Sequence, residues 1–308
     1  MSEIFLLGAG FSKGISDEMP LLAELSQKVL NPEEADLFGQ DVEMCLTFLS
    51  QSHPWLSEAE NLRNRARFID LSRKISEVLK KCMGEALKKE CPVWLRKLVH
   101  WWHEKQVSVL TLNYDTIVER VASEIKATGE TLDCFDIYPV TLTPAGLREA
   151  AVLGGERHFS FKLFKLHGFI NWFYSGSSSF YGETIYCVPV RGGWQSSEDE
   201  IEKNYREAVT DKVPLIVPPM TEKTQYFQHE TMRDLWMKAA IALREATKIF
   251  CLGYSLPQTD ITMRFFLHNN RPKSQVKFYI ANTNEKVTEH FCSLLPHYYE
   301  IDSHFVGK

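Results

Sequence analysis

The chain has no C-x-x-C pair, although it carries seven cysteines: Cys45, Cys82, Cys91, Cys134, Cys187, Cys251 and Cys292. An odd, widely spaced set of thiols excludes a zinc ribbon and a disulfide framework, and fits reduced cysteines in a cytoplasmic protein. No apolar run approaches the ~20 residues that a membrane-spanning helix needs. The N-terminus lacks the basic leader of a signal peptide, and its apolar run is short and broken by glycine. Positive charge is also in deficit. Thirty-five Lys and Arg against 40 Asp and Glu leave a net charge of -5, so no global basic field marks a nucleic-acid binder. There is no internal repeat and no low-complexity domain.

What is present is an ordinary globular composition, 44% hydrophobic and 24% charged. The 308 residues allow two units or one α/β domain with insertions, and a core that needs no disulfide or metal. Short apolar runs alternate with helical patterns, which predicts an α/β fold: a Rossmann-like, doubly wound parallel sheet. The expected strands are Ile4–Leu7, Val107–Leu110, Leu215–Val217, Ile249–Leu252 and Val276–Ala281. One domain, 1–308, is expected, with a helical insertion over about 33–104 and a second over about 128–212. In the first, Phe68, Leu71, Ile75, Val78 and Cys82 recur at spacings of three and four, an apolar stripe on a long helix. The second holds a strand within Phe159–Leu166 and then a Ser/Gly-rich loop, Tyr174–Ser179.

Five strand ends carry the chemistry. Leu6-Leu7-Gly8-Ala9-Gly10-Phe11-Ser12 is an apolar strand running into two glycines and a serine, which lets backbone N–H groups approach a pyrophosphate. The third glycine of G-x-G-x-x-G is replaced by Lys13. Thr111-Leu112-Asn113-Tyr114-Asp115 follows the second strand, and a helix is expected over Thr116–Lys126. Asn113 can hold an amide, a ribose hydroxyl or a water; Asp115 can accept from hydroxyls or cap that helix. Lys165-Leu166-His167-Gly168 puts at a strand end an imidazole that titrates near neutrality and can act as a base. Gly253-Tyr254-Ser255-Leu256-Pro257, with Asp260 beyond, offers a hydroxyl and backbone donors, and Asn282 closes the fifth strand with an amide.

In this order the five resemble the sirtuin (silent information regulator two-like) family, most closely its bacterial sirtuin-like branch. Pro218-Pro219 with Lys223 adds to the match. The resemblance implies NAD as substrate and cleavage of its nicotinamide–ribose bond. It implies that Gly8, Ala9, Gly10, Phe11 and Ser12 hold the pyrophosphate. Asn113 and Asp115 would position the ribose and a water, and His167 would act as base. Gly253, Tyr254, Ser255 and Asn282 would line the phosphate and adenosine side.

Two departures bear on the reaction. The four-cysteine zinc module of deacylating sirtuins is absent, and their G-I-P-x-F-R segment is replaced by Asp17-Glu18-Met19-Pro20-Leu21-Leu22. Both losses favour water as acceptor, so the resemblance implies NAD hydrolysis of the kind that depletes NAD in bacterial antiphage defence. Such an activity needs a gate. A homo-oligomer is expected, with a separate activator such as a ring-shaped DNA-translocating ATPase, an Argonaute-like protein or a signalling nucleotide. The alternatives are a protein deacylase or ADP-ribosyltransferase, and a non-catalytic sensor of NAD or ADP-ribose.

His100 and His103 stand three apart on a helix without further ligand motifs, so no metal is expected there. Lys80-Lys81 and Lys88-Lys89, with Arg63, Arg65 and Arg67, read as a solvated helix face, with a nucleic-acid or partner contact as the alternative that helical spacing allows.

Overall fold

Ile4, Phe5, Leu6 and Leu7 are four consecutive apolar residues, and all four are buried, as a central parallel strand covered on both faces requires. The computed structural model describes residues 2–127, 130–145, 159–175, 184–190, 192–196, 200–217, 229–272, 274–295 and 299–307. The Gly/Ser run 176–179, the Pro218-Pro219 pair and Lys223 lie outside the described residues.

Strand β1 (Ser2–Leu7) runs into α1 (Ala9–Ile15). Helices α2 (Leu22–Val29), α3 (Pro32–Leu37), α4 (Val42–Ser50), α5 (Glu58–Leu87) and α6 (Val93–Lys105) precede β2 (Ser108–Thr111). Next come α7 (Ile117–Ala122), β3 (Lys126–Ala127), β4 (Glu130–Thr131), α8 (Cys134–Ile137) and β5 (Thr143–Pro144). They lead to β6 (Lys162–Lys165), β7 (Gly168–Tyr174), β8 (Tyr186–Cys187), α9 (Glu200–Glu207), β9 (Val213–Ile216) and α10 (Glu230–Arg244). The chain closes with β10 (Ala246–Leu252), α11 (Ile261–Asn269), β11 (Val276–Asn282), α12 (Val287–Leu294) and β12 (Tyr299–Val306).

The main sheet has six parallel strands in the order β12-β11-β10-β1-β2-β6. The chain leaves β1 in one direction and later returns to build the other side, so the fold is doubly wound about β1. Register decides what this sheet displays. Leu7 lies level with Leu252 and Thr111, Thr111 with Lys165, and Leu252 with Ala281. Five strands therefore end on one line, and the next residue or two of each chain segment project from the same edge.

Helix α5 buries Phe68, Leu71, Ile75 and Cys82 of the expected stripe, with Leu79 in place of the half-buried Val78. The shift follows from 3.6 residues per turn, which drifts off a strict three-four repeat. Ser57 caps it by accepting from Glu60 N, and Glu60 returns a carboxylate to the Ser57 N–H.

Two expectations are corrected. Leu215–Val217 does not join the parallel sheet: β9 pairs antiparallel with β7 in a second sheet ordered β5-β8-β7-β9. A short buried apolar run looks the same in either setting. Strand β6, within the stretch taken as the second insertion, forms an edge of the main sheet. The turn between the two sheets is Gly168, whose φ of +75° and close approach to the Leu215 carbonyl leave no room for a side chain.

Candidate active site

The loops that leave the aligned strand ends enclose a cleft of about 410 Å³. Gly8, Ala9, Gly10, Ser12, Asn113, Asp115, His167, Gly253, Tyr254, Ser255 and Asn282 all line it. Register is the physical cause of that convergence: residues more than a hundred positions apart share one sheet edge. Phe11 does not line the cleft. Helix α1 turns it the other way, into the core, where its ring meets Trp94 and Trp102 at 5.9 and 6.3 Å.

The β1 and β10 loops lie backbone on backbone. Gly8 N donates to the Leu252 carbonyl at 3.0 Å, and Gly10 N to the Gly253 carbonyl at 2.9 Å. A Cβ on Gly8 would come within 2.5 Å of Tyr254 Cα. The glycines thus serve loop-to-loop contact, and the Gly10 N–H expected to face a phosphate is already spent within the protein.

Asn113 is fixed by the same loop. Its Nδ2 donates to the Gly8 carbonyl at 2.9 Å and to Ser12 Oγ at 3.0 Å. Ser12 Oγ in turn donates to Asp115 Oδ2 at 2.6 Å, and Asp115 Oδ1 accepts from Ile117 N at 3.1 Å. Asp115 therefore braces Ser12 and the first turn of α7 together. With both amide hydrogens committed, Asn113 Oδ1 is the atom left to accept from a ligand.

Behind the cleft, Lys165 is buried and donates to the Asp115 carbonyl at 2.6 Å, while it pairs with Glu119 at 3.0 Å. Tyr138 donates its hydroxyl to the same Glu119 oxygen at 2.9 Å, and Lys165 Nζ sits 4.0 Å from the centre of the Phe169 ring. Burial raises the Glu119 carboxyl above its ordinary value, against the pull of Lys165 and Tyr138. His167 is itself buried, and its carbonyl accepts from Val217 N at 2.8 Å.

On the far side, Tyr254 donates to Asp260 Oδ2 at 2.7 Å. Burial, with the Asp260 carboxylate beside it, pushes the Tyr254 phenol well above the ordinary tyrosine value, so it stays protonated. Asn282 Nδ2 donates to the Tyr254 carbonyl at 3.3 Å, and the Ser255 carbonyl accepts from His290 Nδ1 at 3.0 Å.

The sequence reading missed the opposite wall. Leu25 of α2, Glu43 of α4 and Leu79 of α5 line the cleft there, beside Met19 and Leu22 of the segment singled out only as a departure from the deacylase pattern. Nothing in their local pattern separates them from residues that merely pack. The described lining includes Glu43, Asp115 and Asp260 but neither Lys nor Arg. His103 Nδ1 meets Ser160 Oγ at 3.1 Å, and no three metal-ligating side chains are grouped among the described residues. None of the described helices is long and apolar enough to cross a membrane.

No protein-family model matches the chain, and no curated protein matches it. Among solved structures it is similar to a Sir2 complex with a p53 peptide and NAD+, at 15% identity over 92% of this chain and 82% of that one, TM-score 0.41. A Sir2 bound to the inhibitor EX-527, 2′-O-acetyl-ADP-ribose and deacetylated p53 peptide is 16% identical over 92% and 82%, TM-score 0.39. A structure on the mechanism and regulation of Sir2 enzymes is 14% identical over 92% and 81%, TM-score 0.42.

Proposed function

We propose that this chain is an NAD glycohydrolase, releasing nicotinamide and ADP-ribose. The observation that carries the reading is Asn113: its amide hydrogens are locked to Gly8 and Ser12, which leaves Oδ1 as an acceptor in a cleft shared with His167. Oδ1 holds a ribose hydroxyl or the attacking water. The glycosidic C–N bond breaks with its electron pair passing to the nicotinamide ring nitrogen, so the leaving group departs neutral. Water adds to the oxocarbenium carbon, and its proton passes to His167. The acidic balance of the lining favours both the cationic nicotinamide and the cationic ribose. With no Lys or Arg in the described lining, and with the Gly8, Gly10, Phe11 and Gly253 N–H groups and the Ser12 hydroxyl hydrogen bonded within the protein, the pyrophosphate is held by the N–H groups of Ala9, Tyr254 and Ser255 and the Ser255 hydroxyl.

The motif resemblance supports a wider role as a cytoplasmic, homo-oligomeric NAD-depleting effector in antiphage defence, one domain over 1–308, gated by a separate activator. The test is NAD turnover by the 308-residue chain, alone and with each of the activator classes named above. Nicotinamide and free ADP-ribose are expected in equal amounts, and His167→Ala or Asn113→Ala is expected to lower turnover about a hundredfold or more. Transfer of ADP-ribose to protein or to an acyl group would replace hydrolysis with a transferase. NAD binding without turnover in both settings would leave a sensor.

A further inference from the structure

The loop between α4 and α5 leaves Trp55 72% exposed, and the second turn of α5 leaves Leu62 55% exposed. The loop is built to hold the indole there. The Trp55 ring lies 4.8 Å from that of His53, which stacks at 4.2 Å on Phe48, and Phe48 meets the buried Phe38 at 5.5 Å. His53 Nε2 also meets the Phe48 carbonyl at 2.9 Å. Asn61 of α5 ties the loop down: its Oδ1 accepts from His53 N at 2.9 Å, and its Nδ2 donates to the His53 carbonyl at 3.2 Å. Beside the indole is a groove of about 400 Å³, walled by Pro54, Leu56 and Leu62, with Glu58 and Arg65 also lining it. Those two charges stand two turns apart on α5, about 10.5 Å along its axis. Arg65 donates through Nη2 to Ser52 Oγ at 2.7 Å, and neither Arg65 nor Glu58 has an ion-pair partner among the described residues.

We propose that this face is a two-fold interface with a second copy of this chain, in which each Trp55 enters the groove of the other copy. A two-fold contact brings one patch against itself, so the patch must hold both the knob and the hole. This one holds both. With the axis crossing α5 near Leu62, the two helices run antiparallel, and Glu58 of each copy meets Arg65 of the other. Opposite charges at the two ends of the groove thus pair twice, reciprocally, and fix the register. Trp55 and Leu62 between them supply an apolar centre inside that polar rim. The aromatic ladder holds Trp55 in place before contact, which lowers the ordering cost of association. The pairing gives the homo-oligomer proposed above a contact surface and rests on that part of the reading. It shares no lining residue with the cleft and does not rest on NAD hydrolysis.

The experiment is sedimentation velocity of the 308-residue chain over a dilution series, with NAD turnover read on the same samples. The wild type is expected to be a dimer, or an even-numbered assembly built on it, that dissociates on dilution. Trp55→Ala is expected to weaken self-association about thirtyfold or more, the size of a hot-spot truncation. Glu58→Arg and Arg65→Glu, each checked for an unchanged melting temperature, are expected to weaken it about tenfold or more, since each sets like charges together at both ends. Mixing these two variants is expected to restore association, because one chain then offers two positive ends and the other two negative ones. Loss of fold cannot produce that rescue. A dimer without NAD turnover would leave the interface standing and remove the hydrolase. A wild type that stays monomeric at every concentration overturns the interface, whether or not it hydrolyses NAD. So does association indifferent to these substitutions, or a mixture no better than its components.

Discussion

Asn113 and Ser12 are 101 residues apart in sequence and 3.0 Å apart in space, amide nitrogen to hydroxyl oxygen. Ser12 spends its own hydrogen on Asp115 at 2.6 Å, so its lone pairs face the Asn113 amide. The three side chains form a relay whose end point is the orientation of Asn113 Oδ1. Ser12→Ala cuts the relay without touching Asn113 or His167. Under any condition in which the wild type turns over NAD, kcat for Ser12→Ala is expected to fall by about a hundredfold, the scale of an ångström misplacement. KM should change far less. A loss confined to KM would make Ser12 a ligand contact and Asn113 independent of it.

Gly253 and Gly84 predict opposite signs for the same substitution. Gly253 has φ +66°, and a Cβ there would collide with the Phe11 backbone nitrogen. Gly253→Ala is therefore expected to destabilise the fold by about 2 kcal/mol or more. Gly84 lies in α5, is exposed, and has nothing within 4 Å of a built Cβ. Gly84→Ala is expected to stabilise by about 0.5–1 kcal/mol through helix propensity alone. Urea unfolding of the two variants beside the wild type reads both signs. A neutral Gly253→Ala would mean that the β1 and β10 loops yield easily.

The strands of the main sheet were legible because burial on both faces leaves a continuous apolar run, as at Ile4–Leu7 and Ile249–Leu252. The site was legible as five strand ends, since chemistry at such ends has few other places to go in a parallel sheet. What the sequence did not carry was pairing. Leu215–Val217 has the composition of a central strand, yet its partner is β7, chosen by the Gly168 turn. Phe11 was grouped with its neighbours, but Ser12 is the residue helix α1 turns toward the cleft. Glu43 and Leu79 reach the cleft through packing of α4 on α5 and of α5 against β9, which no local pattern announces.

Lys165 and Glu119 form a buried ion pair, and its value lies in not being broken. Lys165→Met would leave Glu119 without its cation and the Asp115 carbonyl without its donor. The expected cost is about 3–5 kcal/mol. Removing both charges, Lys165→Met with Glu119→Leu, is expected to recover about 1–3 kcal/mol of that. The deficit that remains, about 2 kcal/mol, reflects the Asp115 carbonyl and the Tyr138 hydroxyl, which each lose a partner. If the double variant were no better than the single, the cost would come from the lost hydrogen bonds and not from the stranded carboxylate.

Glu34 and Arg67 tie α3 to α5 and give the fold a defined acid response. Arg67 Nε and Nη2 each donate to one Glu34 oxygen, at 2.5 and 2.8 Å. The Glu34 carboxyl is held below the usual glutamate value, first by the Arg67 fork and further by the Asn31 N–H, against the cost of partial burial. A carboxyl depressed in the folded state stabilises the protein fully above its unfolded value. That contribution is lost as pH falls through the folded one. The difference in unfolding free energy between wild type and Glu34→Gln is therefore expected to be about 1–2 kcal/mol at neutral pH. It should begin to shrink below about pH 5 and vanish once Glu34 is protonated in both states. Paired urea titrations from neutral to acid pH measure it. A difference that stayed constant across that range would mean that the pair holds through shape and packing, with no part played by the charge.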